Sequence, residues 1–395
     1  MNITKLGWLN IINKPLNTIL SLLLMTFGVG IISLLFLLND KLEQQLNNNL
    51  KGVDMVVGAK GSPLQLILSS VYHIDNPTGN ISLKEANDIK KNPMIKSAVP
   101  LSFGDNYKGF RIVGTTHDYS DLYDVKLKQG KMWSKSLEVV IGSVVADFHD
   151  LKIGDNFYGS HGLVEGGHVH HHYSYEVVGI FEQSYSVIDK LILTDTESVW
   201  AVHNHKDVKD YEDEDLMITA MLFEFKSPTG LMQLPRKVNE TTNLQAAVPA
   251  FEINRLISLL GFGVKTINII AFIIIIVSGL SIFISLYNSL RKRSYELALM
   301  RVHGATRLQV VKLILQEGVL LSFIGAVLGV ITSRLILFLI SIFVNNKYML
   351  DSIQFNLLKE ELLLFPISLL IGIIASCIPA LQTYNINIPK ILSDG

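Results

Sequence analysis

Apolar residues form four long runs that carry almost no charge. They cover residues 15–39, 266–290, 318–344 and 362–381. Since about 20 apolar residues span the hydrocarbon core of a bilayer as a helix, each run is predicted to be a transmembrane helix. The first run is longer than the apolar part of a signal peptide, and no small-residue cleavage site follows it. We therefore expect it to be an uncleaved anchor.

Polar stretches of helical composition adjoin the first two spans on the side of the large central region. Residues 39–50 continue the first span, and residues 251–265 precede the second. We predict that both are helical stalks that join the membrane to the central region.

The central region, from Gly52 to about Leu260, has no apolar run of membrane length and predicts an α+β domain. Short alternating segments bounded by turn residues indicate strands, namely Phe110–Val113, Val139–Ile141, Tyr175–Phe181 and Met221–Phe225. The glycine-containing segment 58–62 lacks the spacing of a phosphate-binding loop, and no other segment of the sequence has that spacing. It is interpreted as a turn, and the chain is not expected to hydrolyse ATP by itself.

Composition supports a membrane protein with a large polar part. Only 17% of the 395 residues are charged, against about 25% in soluble proteins. The net charge of −1 gives no indication of a nucleic-acid partner. The single cysteine, Cys377, excludes a disulfide within the chain.

Basic residues are distributed unevenly between the two short loops that connect the last three spans. Loop 291–312 holds six of them: Arg291, Lys292, Arg293, Arg301, Arg307 and Lys312. The loop 345–361 holds only Lys347 and Lys359, with three acidic residues. Because basic loops stay in the cytoplasm, we expect loop 291–312 and both termini to be cytoplasmic and the large domain to be periplasmic.

Loop 291–312 also predicts a rigid helix–turn–helix. A short helix over residues 294–302 is expected to end at Gly304, which adopts a left-handed backbone without steric cost. Thr306 and Gln309 have the spacing of a capping box that begins the next helix. Such a segment, held between two spans, could receive force from a partner and pass it to both.

The motifs of this region resemble those of the FtsX/MacB-like ABC transporter permease superfamily. They comprise the string Glu-Leu-Ala-Leu-Met-Arg at 296–301, Gly-Ala-Thr at 304–306, Glu-Gly at 317–318 and Gly-Ala-Val-Leu-Gly at 325–329. The order of spans is similar too. His303 is a departure, because the family usually has an aliphatic residue there.

The resemblance implies four transmembrane helices with a MacB-like periplasmic core domain between spans one and two. It divides the chain into residues 1–39, 40–260 and 261–395, with an inserted β-rich outer subdomain at about 115–215. It also implies a permease without enzymatic activity, two copies or paralogues of which assemble with ATPase chains that bind the ATP. The residues expected to couple to the ATPase are Glu296, Met300, Arg301, Gly304 and Ala305.

Three intramembrane residues allow more than one interpretation. Gly325 and Gly329 permit close helix approach, either within the chain or between two copies. Arg334 is costly inside a bilayer. Its position predicts that it lies near the outer interface, where it extends to the headgroups or pairs with an acidic residue.

The outer part of the domain has an unusual histidine cluster in a glycine-rich connection. It consists of His161, His168, His170, His171 and His172. Imidazole is a good ligand for zinc and copper, but the spacing matches no defined site. The alternatives are labile metal binding and a solvated hairpin tip. The acidic run 207–215 lacks the calcium-loop spacing.

Several functions remain open on the sequence alone. No nucleophile elbow or zinc-protease motif indicates catalysis. The first possibility is export, with a periplasmic adaptor or substrate protein as an additional partner. The second is a mechanical regulator of a periplasmic hydrolase or sensor kinase, and the third is a metal-binding sensor on a membrane anchor. The cargo is not encoded in any motif.

The predicted topology can be tested by cysteine labelling in a Cys377→Ser background. A cysteine at Ser160 should react with a membrane-impermeant maleimide once the outer membrane is opened, and one at Ser294 should react only after the inner membrane is disrupted. Ser160→Cys labelling that requires inner-membrane disruption would overturn the topology.

Overall fold

The structure is a computed structural model that describes residues 15–160, 169–204, 216–343 and 357–384. The helices among these residues are α1 Pro15–Asn49, α2 Pro63–Ser70, α3 Leu83–Lys90, α4 Asp118–Leu122, α5 Ser143–His149, α6 Thr196–Asn204, α7 Thr229–Thr241, α8 Pro249–Lys292, α9 Ser294–Val302, α10 Arg307–Phe343, α11 Lys359–Leu362 and α12 Leu364–Tyr384. The strands are β1 Met55–Ala59, β2 Ile81–Ser82, β3 Ile95–Tyr107, β4 Phe110–Gly114, β5 Leu127–Gly130, β6 Glu138–Ile141, β7 Asn156–Ser160, β8 Val169–Phe181, β9 Ile192–Thr194, β10 Met217–Ile218, β11 Ala220–Phe225 and β12 Leu244–Ala247.

The described residues form two compact units. The first gathers residues up to Lys41 and those from Leu260 onward, and the second is the α+β domain, Leu42–Leu259. Because α1 and α8 are continuous helices, each contributes residues to both units.

The described residues include four helical stretches long and apolar enough to cross a membrane. They are Thr18–Asn49, Lys265–Lys292, Arg307–Ile340 and Lys359–Tyr384. This confirms the predicted fold class of four spans with an α+β domain between the first and second. The predicted third span corresponds to about the last two thirds of α10, which begins earlier, at Arg307 directly after the turn.

Small residues bring α1 and α10 into close contact. A Cβ atom added at Gly329 would lie 2.8 Å from the Val29 Cβ and 3.0 Å from the Gly30 nitrogen. One added at Gly325 would lie 2.6 Å from the Met25 Cβ. The two glycines on α10 therefore pack against α1 of the same chain. Of the two alternatives, close approach within the chain or between two copies, the structure shows the first.

Arg334 on α10 forms a buried ion pair with Glu361 of α11. The Nη1 and Nη2 atoms of Arg334 donate to the two carboxylate oxygens at 2.6 and 2.5 Å. Ser33 of α1 donates to Glu361 Oε1 at 2.5 Å, and Ser33 and Ser333 hydroxyls are 2.7 Å apart. Arg334 therefore pairs with an acidic residue instead of extending to the headgroups. The hydrogen-bond network around this pair joins α1, α10 and α11.

The α+β domain is built on one mixed sheet in the order β12-β1-β11-β3-β4-β9-β6-β8-β5, with β7 beside β3 and β8. The long strand β3 joins the two parts of this sheet. Its first half pairs with β11 and its second half with β4. Pro100 lies in the first half, where among the described strands only β11 pairs with it, and a proline is tolerated at such an edge.

The ends of α1 and α8 belong to the core of this domain. Ile253 near the start of α8 is buried in a cluster of aliphatic and aromatic side chains. Leu46 near the end of α1, Leu50 just beyond it and Ile257 of α8 are partly buried and pack against this cluster. The stalk ends are therefore fixed to the domain by burial of apolar surface.

The segment predicted as a turn at 58–62 is a turn only in part: Gly58 and Ala59 end strand β1, and the chain bends at residues 60–61. Ser62 Oγ accepts a hydrogen bond from Gln65 N and caps α2. Lys60 Nζ donates to the carbonyls of Asn239 and Thr242 at the end of α7, at 2.9 and 3.3 Å, and to that of Leu244 in β12 at 3.0 Å. The lysine thus stabilises a helix terminus.

The ion pair makes a stability prediction. Glu361→Gln leaves the Arg334 cation buried without a counter-charge, which costs about 3–5 kcal/mol. We expect a clear loss of thermal stability of the detergent-purified chain, measured by unfolding fluorescence. Adding Arg334→Met should recover part of the loss because the unpaired charge is removed.

Glu360→Gln is the matched control, because Glu360 is the adjacent acidic residue and is exposed. Its substitution should change stability by no more than about 0.5 kcal/mol. Equal losses in Glu360→Gln and Glu361→Gln would contradict the assignment.

Candidate coupling site

The predicted short helix is present as α9, and we call residues 294–305 the elbow. Leu297 and Ala298 are buried on its inner face, and Leu297 packs with Val310 and Ile314 of α10 in an apolar cluster. Met300 is half-buried and packs against the same cluster. The inner face therefore attaches the elbow to α10 through apolar contacts.

The elbow ends in a left-handed turn. Gly304 has a φ angle of +97°, where a residue with a Cβ is strained. The amide of Ala305 donates to the Met300 carbonyl at 3.0 Å and that of Gly304 to the Arg301 carbonyl at 3.2 Å. This is the Schellman pattern, which satisfies carbonyls at a helix C-terminus. Arg301 Nη1 adds a bond to the Ala305 carbonyl at 3.2 Å.

His303 closes the same helix end from its side chain. Its Nδ1 lies 2.8 Å from the Leu299 carbonyl, which can only accept, so Nδ1 carries a hydrogen and donates. The departure from the usual aliphatic residue therefore adds a capping interaction.

The next helix begins with the predicted capping box. The amide of Gln309 donates to Thr306 Oγ1 at 3.2 Å, and the amide of Thr306 donates to Gln309 Oε1 at 2.7 Å. The turn between α9 and α10 is thus hydrogen-bonded on both sides, and its backbone has little freedom.

An arginine that the sequence analysis did not single out fixes the first turn of the elbow. Arg293 Nε lies 2.6 Å from Glu296 Oε2, and its Nη1 lies 3.9 Å from Oε1 of the buried Glu317 on α10. Glu296 and Arg293 are three residues apart, a spacing typical of helical ion pairs that could have indicated this contact.

The outer face of the elbow is apolar and exposed. Tyr295, Leu299 and Val302 follow one another at helical spacing and are 47%, 36% and 60% exposed. Leu308, just beyond the turn, is 73% exposed. We call these four residues the docking face, since exposed apolar patches are typical of binding surfaces.

Two arginines beside the docking face are held over tyrosine rings. Arg291 lies 5.6 Å from the Tyr287 ring centroid, and Arg307 lies 5.1 Å from that of Tyr384 on α12. Their cationic groups are attracted by the ring faces. The surroundings of the docking face are therefore basic as well as ordered.

The structure separates the predicted coupling residues by what they contact. Met300, Arg301, Gly304 and Ala305 maintain the shape of the elbow, and Glu296 pairs with Arg293. That these five residues couple to an ATPase stays a prediction. The docking face was missed, although its spacing was visible in the sequence.

The histidine cluster lies largely outside the described residues. His161 and His168 are not described, and the acidic run 207–215 is not described either. Residues 170–172 belong to the backbone of β8, which extends beyond the predicted 175–181. We had expected them in the glycine-rich connection, and the structure places them in a strand instead. In the described part of the chain, no group of three or more His, Cys, Asp or Glu residues could hold a metal ion.

Comparison with known families agrees with this architecture. Residues 268–388 match the model of the FtsX-like permease C-terminal domain, and residues 18–231 match that of the MacB-like periplasmic core domain. The second match alone covers more than half of the chain. The protein therefore belongs to the FtsX/MacB-like ABC permease family, and it is a multi-pass inner-membrane permease of an ABC transporter system.

Two solved structures are similar to part of this chain. One is the periplasmic region of MacB from Actinobacillus actinomycetemcomitans, at 14% identity and a TM-score of 0.34, covering 54% of this chain and 97% of that one. The other is the extracellular domain of the ABC-type transporter YknZ from Gram-positive bacteria, at 12% identity and a TM-score of 0.32, covering 49% and 98%. No curated protein matches the sequence.

The histidine hypothesis predicts a measurable metal affinity. Zinc or copper added to the detergent-purified chain should bind with micromolar affinity at pH 7.5 and much more weakly at pH 5.5, because ligation needs neutral imidazoles with a pKa of about 6.5. Isothermal titration calorimetry measures this. Binding should be lost when His168, His170, His171 and His172 become Ala.

His117→Ala is the control for this titration, because His117 lies elsewhere in the domain, where its Nε2 donates to the Trp133 carbonyl, 3.0 Å away. Binding that is absent, or that survives in the fourfold variant, would favour the solvated hairpin tip.

Proposed function

We propose that this chain couples ATP hydrolysis by a separate ATPase subunit to movement of its α+β domain in the periplasm. The observation that supports this most directly is the elbow, which combines an exposed apolar docking face with a hydrogen-bonded turn between two spans. A flexible loop would absorb a push from a partner, whereas this turn would transmit it.

In the first step, the ATPase subunit contacts the docking face. Apolar side chains such as Leu299 and Val302 would be buried in the complex, and burial of a large apolar residue stabilises by about 1.5–3 kcal/mol. The basic residues of loop 291–312 would add attraction to an acidic surface. The proposal requires loop 291–312 to lie in the cytoplasm, which is the location that its positive charge predicts.

In the second step, the displacement passes along packed helices. The elbow is attached to α10 through its inner face and through Arg293. At Gly325 and Gly329, which have no side chains of their own, the backbone of α10 approaches Met25, Val29 and Gly30 of α1 closely. Since close-packed interfaces move as units, movement of α10 would carry α1 with it.

In the third step, α1 and α8 act on the domain. Ile253 of α8 is buried in the domain core, and Leu46 of α1, Leu50 just beyond α1 and Ile257 of α8 are partly buried and pack against that core. A shift of either helix would therefore act directly on the sheet. Work would be done outside the membrane, and passage of a substrate between the spans is not required.

Partners follow from the same proposal. A second permease copy or paralogue and two ATPase chains would complete the complex, and a periplasmic adaptor or substrate protein would receive the movement. Export and mechanical regulation of a hydrolase or sensor use the same coupling, so the copurified periplasmic partner decides between them. An adaptor or outer-membrane protein favours export.

The coupling proposal predicts the effect of changing the turn. Gly304→Val places a β-branched residue at a left-handed position, at a cost of about 1–2 kcal/mol. No atom lies within 4 Å of an added Cβ, so the effect comes from the backbone alone. We expect normal membrane insertion and a clear decrease in permease-stimulated ATPase activity of the reconstituted complex.

Gly304→Asn is the matched variant, because asparagine tolerates left-handed backbone better than valine. It should retain more stimulation. Glu296→Lys should weaken copurification of the ATPase, because it replaces an ion pair with repulsion from Arg293. Wild-type ATPase activity and copurification in both Gly304→Val and Glu296→Lys would show that the elbow is not the coupling element.

The docking face can be tested separately. Val302→Asp should reduce ATPase copurification at least tenfold, since a charge would have to be buried in the complex. Met232→Asp is the control, because Met232 is an exposed apolar residue on α7 of the domain. A similar loss in both variants would indicate general instability instead of docking.

A further inference from the structure

A buried histidine lies in the loop after α2, within the α+β domain. His73 is 8% exposed and has a φ angle of +55°, a left-handed conformation that few residues with a Cβ adopt. Its Nε2 lies 3.0 Å from the Tyr119 hydroxyl on α4. Its Nδ1 is buried and has no hydrogen-bond partner among the described residues. Contacts of the ring, and not backbone preference, therefore hold this loop in place.

A buried cation lies beside the histidine. Arg111 on β4 is 6% exposed, and its Nη2 donates to the Asp75 carbonyl at 2.8 Å. The Arg111 guanidinium and the His73 ring both contact the Phe103 ring, at 4.5 and 5.2 Å. Burial, and secondly the charge of Arg111, hold the pKa of His73 well below its usual value, and burial lowers that of Arg111 to about 10.

The other groups around His73 do not compensate a second positive charge. Tyr119 faces it from α4, and burial raises the pKa of this tyrosine, which therefore stays neutral. From its own loop, the negative charge of Asp75 acts on Arg111, whose pKa it raises, whereas burial and the charge of Arg111 are the causes that lower the pKa of His73. From β3, the facing side chain is Phe103. An imidazolium at this position would be destabilised by Arg111.

The same loop and tyrosines hold the end of α1. The carbonyls in the last turn of a helix lack partners within the helix. Here the Tyr72 hydroxyl donates to the Leu46 carbonyl at 3.3 Å, and the Tyr123 hydroxyl donates to that of Asn49 at 3.0 Å. Tyr72 adjoins His73 in sequence, and the Tyr119 ring packs edge-to-face on Tyr123, at 5.4 Å between centroids. His73 is thus connected to both caps.

We propose that His73 is a pH-sensitive lock that fixes the end of α1 to the α+β domain while neutral and releases it when protonated. Protonation places a second buried cation next to Arg111, so the ring leaves its site, the strained loop relaxes, and Tyr72 and Tyr123 lose their positions at the α1 carbonyls. Acidification of the compartment around the domain would therefore loosen the stalk. The lock goes beyond the coupling proposal and does not require ATPase activity.

The direction of the pH effect follows from linkage. Because the folded site holds the pKa of His73 below its value in the released state, the released state binds more protons. The lock is therefore fully closed above the released-state pKa of about 6.5 and weakens as pH falls below it. If the closed state stays neutral, release at pH 5.0 is favoured about 30-fold relative to neutral pH.

The test is hydrogen–deuterium exchange of the full chain in detergent at pH 7.5 and 5.0, corrected for the intrinsic pH dependence of amide exchange. In the wild type, protection of amides 46–50 should decrease by about 10- to 30-fold at pH 5.0. His73→Gln can still bond to Tyr119 but cannot become charged, and it should show no such decrease. The control His117→Gln, in the same domain, should behave like the wild type.

A second measurement needs no variant. Exchange of the histidine C2 hydrogen, followed by mass spectrometry, gives the titration of His73 in the wild-type chain, and we expect a pKa below 6.5. A pKa at or above 6.5, pH-independent protection of amides 46–50 in the wild type, or unchanged pH dependence in His73→Gln would each overturn the proposal. None of these outcomes predicts a change in ATPase stimulation at pH 7.5. The coupling proposal is therefore tested independently of the lock.

Discussion

The left-handed backbone of Gly304 is the constraint on which the membrane-proximal structure depends. It lets α9 end and α10 begin within a few residues, and the bonds from Ala305 to Met300 and between Thr306 and Gln309 close the turn on both sides. As a result, α9 presents one face to α10 and the other to solvent. A longer or looser connection would separate the docking face from the spans that it is proposed to move.

Polar interactions inside the apolar unit have a second role, which is to fix the register of the helices. An ion pair taken out of water gains little net stability, but either partner alone is very costly. The Arg334–Glu361 pair therefore penalises any sliding of α10 relative to α11, and Ser33 extends the same penalty to α1. Dispersion contacts at Gly329 and Gly30 supply attraction, whereas the ion pair supplies specificity.

The α+β domain meets the helices through both apolar and polar contacts. The apolar packing of Leu46 and Ile253 tolerates small rotations, because apolar contacts have no preferred direction. The hydroxyl bonds from Tyr72 and Tyr123 to the α1 carbonyls are directional and are lost over a fraction of an ångström. The polar caps are thus the part of this junction that a charge change at His73 could alter.

The sequence by itself determined the features that depend on neighbouring residues. Apolar runs located four spans, alternation located strands such as Val139–Ile141, and Gly304 with the Thr306–Gln309 pair located the elbow, because backbone conformation and capping act over one to four residues. The motif strings indicated the family as well. Only the tertiary structure decided which residues meet across the chain. Nothing local pairs Arg334 with Glu361 and Ser33, places Pro100 inside a long strand, or brings Tyr123 to the end of α1. Those contacts join residues tens to hundreds of positions apart, and they follow from the packing of whole helices and sheets, which no short pattern encodes.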